Sequence, residues 1–117
     1  MSESSHKFDL EERTFNFSKR TLKFLKSFSK TTINIELIKQ LTRSSCSVGA
    51  NYIEANESLS KKDFVMRIKI CRKEAKESTY WLKLLDLNEN QESERDFLIQ
   101  ESVELTKIFG AILEKSK

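Results

Sequence analysis

The sequence has no proline and only two glycines in 117 residues. These residues make hairpin turns, bulges and phosphate-cradling loops, and an average chain carries roughly 5% and 7% of them. Their scarcity argues against sandwiches, barrels and Gly-rich phosphate loops, and for a few long helices joined by short turns. Histidine occurs once, as His6, and cysteine twice, as Cys46 and Cys71. A di-iron bundle needs Glu-x-x-His pairs on facing helices, and zinc sites draw on clusters of His and Cys, so neither a metal nor another cofactor is expected. There is no run of about 18 apolar residues, hence no expected membrane-spanning helix or membrane partner. The charged opening MSESSHKFDLEER lacks the apolar core of a secretory signal. Both cysteines fall at apolar positions of helical patterns, which reads as free buried thiols and a cytoplasmic location.

What is present fits the same picture. Hydrophobic residues make up 38% and charged residues 33%, the balance of exposed helices with narrow apolar stripes. The net charge of +3 is unevenly spread: residues 61–88 hold eight Lys or Arg against four Asp or Glu, whereas residues 89–117 hold four against seven. The spacing predicts an all-α, antiparallel up-down-up-down four-helix bundle in a single domain, 1–117, with residues 1–8 frayed.

Helix one is expected from Asp9 to Phe28, with Phe17, Thr21, Phe24 and Phe28 as its core stripe and Leu22 and Leu25 widening it. Lys19, Lys23, Lys26 and Lys30 follow the helical period as one basic edge beside Arg20. Helix two runs from about Ile33 to Ala55 behind a Thr32 N-cap, with a seam through Leu41, Ser45, Val48, Tyr52 and Ala55. Gly49 lies in its small-residue middle. Mid-helix glycine costs about 1 kcal/mol relative to Ala, so close approach of a neighbouring helix is the simplest offset, and an approaching ligand is the alternative.

Asn56 suits a left-handed helix end, and Ser60 with Asp63 resembles a capping box for helix three, Lys61 to Leu87. Phe64, Ile68, Cys71, Ala75, Ser78, Leu82 and Leu85 make a heptad seam. Met66, Ile70, Trp81 and Leu84 gather on a second apolar face, which points to a subunit interface, with Lys62, Lys69, Lys76 and Lys83 spaced by seven and flanked by Arg72 and Lys73. Helix four is expected from Glu94 to Lys115, capped by Ser93 and Asp96, with Gly110 as a second packing glycine.

The motifs from Gln40 to Leu85 carry a resemblance. Arg43-Ser44, Ser47-Val48-Gly49-Ala50-Asn51, Glu54-Ala55, Ser60-Lys61-Lys62-Asp63-Phe64 and Lys73-Glu74-Ala75-Lys76-Glu77-Ser78-Thr79-Tyr80-Trp81-Leu82 resemble the four helix bundle proteins related to the open reading frame of 23S rRNA intervening sequences. Two positions depart from the family pattern: Cys46 where Thr is common, and Asn56 where many members have Gly. The resemblance implies an antiparallel bundle, a ring-like homo-oligomer with a pentamer favoured, and no catalytic site. A related group, the accessory variability determinants of diversity-generating retroelements, looks like a basic nucleic-acid-binding pentamer.

Two functions are weighed from these faces. The first is a nucleic-acid-binding accessory protein, holding RNA or DNA phosphates on Lys19, Arg20, Lys23 and Lys26 and on Lys62, Lys69, Arg72, Lys73, Lys76 and Lys83, against the plainer reading of the lysines as solvated faces. No exposed aromatic pattern for base stacking is apparent. The second is a scaffolding homo-oligomer with a protein partner, its interface formed by Met66, Ile70, Glu74, Glu77, Trp81 and Leu84. In either case Arg43, Asn51, Glu54, Lys73, Glu74 and Glu77 are candidates for a network joining helices or subunits, with Glu74 and Glu77 pairing to a neighbouring subunit. An enzyme using Glu54 or Glu77 as general base lacks a nucleophile, metal or phosphate cradle.

Overall fold

The computed structural model describes residues 3–117, with side chains from Asp9 onward. Four helices follow one another: α1 (Glu3–Leu25), α2 (Thr32–Asn56), α3 (Lys61–Leu84) and α4 (Glu89–Lys115). The fraying expected for residues 1–8 concerns a stretch whose first two residues, and all of whose side chains, lie outside the described residues; from Glu3 the backbone is helical.

Cross-helix bonds fix the directions. Ser18 bonds to the Ser45 carbonyl, whereas the earlier Glu11 meets the later Asn56. Likewise Asn51 meets Arg67 while the earlier Arg43 meets the later Glu77, and Arg13 meets Glu101 while Arg20 meets Glu94. Each pair is therefore antiparallel. The backbone of α1 runs beside α2 and α4, and that of α3 beside α2 and α4, but among the described residues α1 and α3 do not run side by side, so those two stand diagonally across the bundle.

The core forms where the four stripes converge. Leu41, Val48, Ile68, Cys71, Leu82, Leu98, Leu105 and Phe109 are fully buried, and Tyr52 lies against Phe109 with ring centroids 5.9 Å apart. Burying a Leu, Ile or Phe stabilises by about 1.5–3 kcal/mol, which makes this seam the main source of cohesion. In α3 the heptad seam is confirmed residue for residue, with Phe64 partly buried at its end. Burial raises the Cys71 thiol to about 12. Cys46 is only half-buried, contrary to expectation, and no disulfide joins the two.

The helix ends depart from the expected ones for local reasons. α1 stops at Leu25 because Ser27 bonds back to the Phe24 carbonyl at 2.7 Å and Gln91 of α4 donates to the Ser27 carbonyl and hydroxyl. Phe28 then folds into the core, edge-on to Phe24 at 5.1 Å. The basic edge therefore does not continue in helical register to Lys30. Thr31, not Thr32, caps α2 by accepting from the Asn34 amide at 3.2 Å. Asn56 stays in the helix, and no non-glycine residue has a positive φ among the described residues. Ser60 accepts from the Asp63 amide at 3.1 Å as expected. α4 begins at Glu89, ahead of the expected Ser93 cap, because the Gln91 side chain accepts from the Asn88 amide at 3.1 Å while its amide group holds the α1 turn. α3 ends at Leu84, and Leu85 leaves in extended conformation so that its side chain is buried.

Candidate nucleic-acid interface

Facing positions of α2 and α3 build a polar network from the motif residues. Glu74 is only 8% exposed, and a carboxylate so placed needs partners. It accepts from Arg43 Nη1 at 3.1 Å and from Ser47 Oγ at 3.3 Å. The same Arg43 reaches Glu77 through Nη2, and Glu77 in turn accepts from the Trp81 indole at 2.9 Å. Asn51 bonds to Ser47 and accepts from Arg67 at 3.0 Å, while Ser44 and Ser78 share a buried hydroxyl bond of 2.8 Å. The carboxylates expected to meet a neighbouring subunit are thus satisfied within the chain. Glu54, Lys73 and Ala50 stand outside this network, exposed. Ser47, which the sequence marked only as a motif residue, belongs to it, as does Arg67, which the sequence did not single out.

Gly49 has its close neighbour. A Cβ there would sit 3.1 Å from Thr14 Oγ1 and 3.3 Å from Thr14 Cβ on α1. Thr14 cannot swing away freely, since its hydroxyl bonds to the Leu10 and Glu11 carbonyls at 2.9 and 3.0 Å. Gly110 is different: the Arg72 guanidinium lies over it, 3.7 Å from where a Cβ would be, an ordinary contact distance.

The outward side of α3 carries the charge. Lys62, Lys69, Lys73, Lys76 and Lys83 are all exposed, and none is in an ion pair among the described residues. They span about 30 Å of helix at 1.5 Å per residue. Tyr80, 59% exposed, stands among them, against the expectation of no exposed aromatic. Of the second apolar face, Met66 and Leu84 are exposed, whereas Ile70 and Trp81 are half-buried and Trp81 packs on the core.

On α1, Lys19, Lys23 and Lys26 are exposed, but Arg20 is removed from the basic edge. Its guanidinium makes a two-pronged pair with Glu94 at 2.6 and 2.8 Å and lies 3.5 Å from the centre of the Phe97 ring. With Arg13–Glu101 at 2.7 Å, this pair ties α1 to α4, whose backbones approach less closely than those of the other adjacent helices. The hydrogen bonds from Arg20 hold the Glu94 carboxyl below its ordinary value, with burial opposing and the Arg20 and Lys23 charges adding. A depressed carboxylate stabilises above its unfolded value and loses that contribution as pH falls through the folded one. Glu94→Gln is therefore expected to cost under about 1 kcal/mol near neutral pH, the range of a largely solvated pair, and nothing once Glu94 is protonated. Urea unfolding of both proteins across the acid range checks this.

Because α1 and α3 are diagonal, their lysine faces point away from each other and do not merge on one molecule. Among the described residues no group of three or more His, Cys, Asp or Glu could hold a metal ion, and no helix is long and apolar enough to cross a membrane.

A family model described as the 23S rRNA-intervening sequence protein matches residues 6–111. The chain belongs to this family. The crystal structure of a Bacteroides thetaiotaomicron VPI-5482 protein of unknown function, from the S23 ribosomal protein family, resembles it with a TM-score of 0.80 and 28% sequence identity, covering 92% of this chain and 97% of that one. No curated protein matches the sequence. The family match spans the Arg43–Glu74–Glu77 network, the Gly49 contact and the α3 lysines, so these are features of a domain on which the family pattern lies throughout.

Proposed function

We propose that this member of the 23S rRNA-intervening sequence protein family is a non-enzymatic, oligomeric accessory protein of the cytoplasm that binds nucleic acid through the outward face of α3. The observation that carries the reading is the stripe of five exposed lysines along the outward face of α3, Lys62 to Lys83, without an ion-pair partner among the described residues. Arg13, Arg20 and Arg43 are paired with carboxylates, whereas these lysines, like Lys19, Lys23 and Lys26 of α1, are in no ion pair among the described residues. Lysines left free in one stripe attract phosphates with strong salt dependence and little sequence preference. The α1 lysines form a second, smaller patch on the far side.

Charge reversal separates the two faces. Lys69→Glu/Lys73→Glu/Lys76→Glu is expected to weaken binding of a labelled oligonucleotide at low salt by more than about ten-fold, given one phosphate contact per lysine. Lys19→Glu/Lys23→Glu should have the smaller effect. Equal losses from both, or none from the α3 variant, would contradict the assignment; fluorescence anisotropy gives the readout.

One observation favours a further role as a self-assembling scaffold. Phe15, Leu22 and Ile53 are exposed along the groove between α1 and α2, and Lys19 and Lys23 line it too. A second copy would offer the outer face of α4 as the complement in charge, where Glu92 is exposed and Asp96 and Glu104, though paired with Arg95 and Arg13, are exposed as well. Contact between two different faces is head-to-tail, the arrangement that closes rings. This surface differs from the α3 face expected from sequence, where Glu74, Glu77 and Trp81 already have partners. Light scattering should find an oligomer at micromolar protein, and a monomer would contradict it.

A further inference from the structure

Tyr80 is the one aromatic on the lysine face of α3, and its surroundings suit a particular ligand. Its ring is 59% exposed. Lys76 and Lys83 precede and follow it by one helical turn, so their ammonium groups flank the ring on the same face. Behind it, the Trp81 ring packs at 5.2 Å between centroids and 64° between planes. Trp81 is held by Glu77, and Glu77 by Arg43 on α2. The ring therefore sits on a support that runs through the network into a second helix, rather than on a loose surface turn.

We propose that this face binds single-stranded nucleic acid, with a base stacked on the Tyr80 ring and the flanking phosphates on Lys76 and Lys83. The proposal rests on the nucleic-acid reading above and adds the substrate class to it. Aromatic stacking needs an unpaired, accessible base, because in a duplex both faces of each base are already covered, whereas backbone charge alone serves either form. The shared chemistry is a π-face beside phosphates, offered by single-stranded RNA and DNA alike.

The test uses the full chain at low salt with three labelled probes: an oligo-U RNA, an oligo-dT DNA and a duplex of the same length. Single strands are expected to bind more tightly than the duplex. Tyr80→Ala should weaken single-strand binding by at least about five-fold, the lower end for losing one base stack, and leave duplex binding within about two-fold. Tyr80→Phe should retain the wild-type preference. Trp81 is the only tryptophan, so its emission should change on single-strand binding and cease to do so in Tyr80→Ala. Tighter binding of the RNA or of the DNA strand identifies the source of the ligand, and either supports the proposal. If duplex and single strands bind alike and Tyr80→Ala changes neither, stacking is overturned while backbone binding stands. If nothing binds, both readings fall.

Discussion

Gly49→Leu is expected to destabilise the bundle by about 3 kcal/mol, at the upper end for a residue forced into a filled interior. The reason is the position of Thr14. Even a Cβ would lie 3.1 Å from its Oγ1, so three further carbons can be housed only by moving α1 off α2. Such a shift would also draw Phe17 and Phe24 of α1 out of the core in which both are buried. Gly49→Ala should be close to neutral in comparison: the gain in helix propensity, about 1 kcal/mol, offsets the strain of the short contact. The same Ala should be more favourable in a Thr14→Ala background, where the nearest oxygen is gone. Urea unfolding of the single and double variants measures this coupling directly.

Arg43→Ala is the second large effect, expected at about 2–3 kcal/mol. It leaves the buried Glu74 carboxylate with Ser47 as its remaining side-chain partner and frees Glu77 and Trp81 from their common anchor. Breaking one half of a fully buried pair costs about 3–5 kcal/mol, and the value here is reduced because Arg43 is itself half exposed. Arg43→Lys should recover only part of the loss, since a single ammonium cannot replace a guanidinium that reaches two carboxylates at once. Replacing both partners, as in Arg43→Met/Glu74→Met, should bring stability back to within about 1 kcal/mol of wild type, because no charge is then stranded. A double variant as weak as Arg43→Ala would show that the network holds α2 to α3 by more than mutual neutralisation.

The parts of this architecture that the sequence disclosed are those set by period alone. The α3 seam from Phe64 to Leu85 steps by threes and fours without interruption, and every position in it is at least partly buried. The helix ends were harder because local patterns competed. Ser93-x-x-Asp96 is as plausible a cap as Asn88-x-x-Gln91, and what decides between them is Gln91 reaching Ser27, 64 positions away in the chain. Phe15 and Leu22 follow the same phenylalanine-rich pattern as Phe17 and Phe24 but face outward, since α1 packs only along the side that meets α2 and α4. Arg20 looked like part of a lysine edge until the pairing of α1 with α4 placed Glu94 opposite it.

The candidate site shows the same division. Arg43, Asn51, Glu74 and Glu77 were recognisable as motif residues, but which carboxylate faces which cation depends on how α2 is set against α3. Tyr80 is a case where the signal was present. Its spacing from Lys73, Lys76 and Lys83 puts it in the middle of the lysine face, but it was read only as part of the motif that ends at Leu82.

The central claim, that phosphates are held on free lysines, is tested most directly by the salt dependence of binding. Anisotropy of a labelled single-stranded oligonucleotide with the wild-type chain should show binding at micromolar protein in low salt. Its logarithm should fall linearly with that of salt, with a slope of about −3 if four or five lysines contact phosphate. No binding at micromolar protein in low salt, or binding indifferent to salt, would contradict the account.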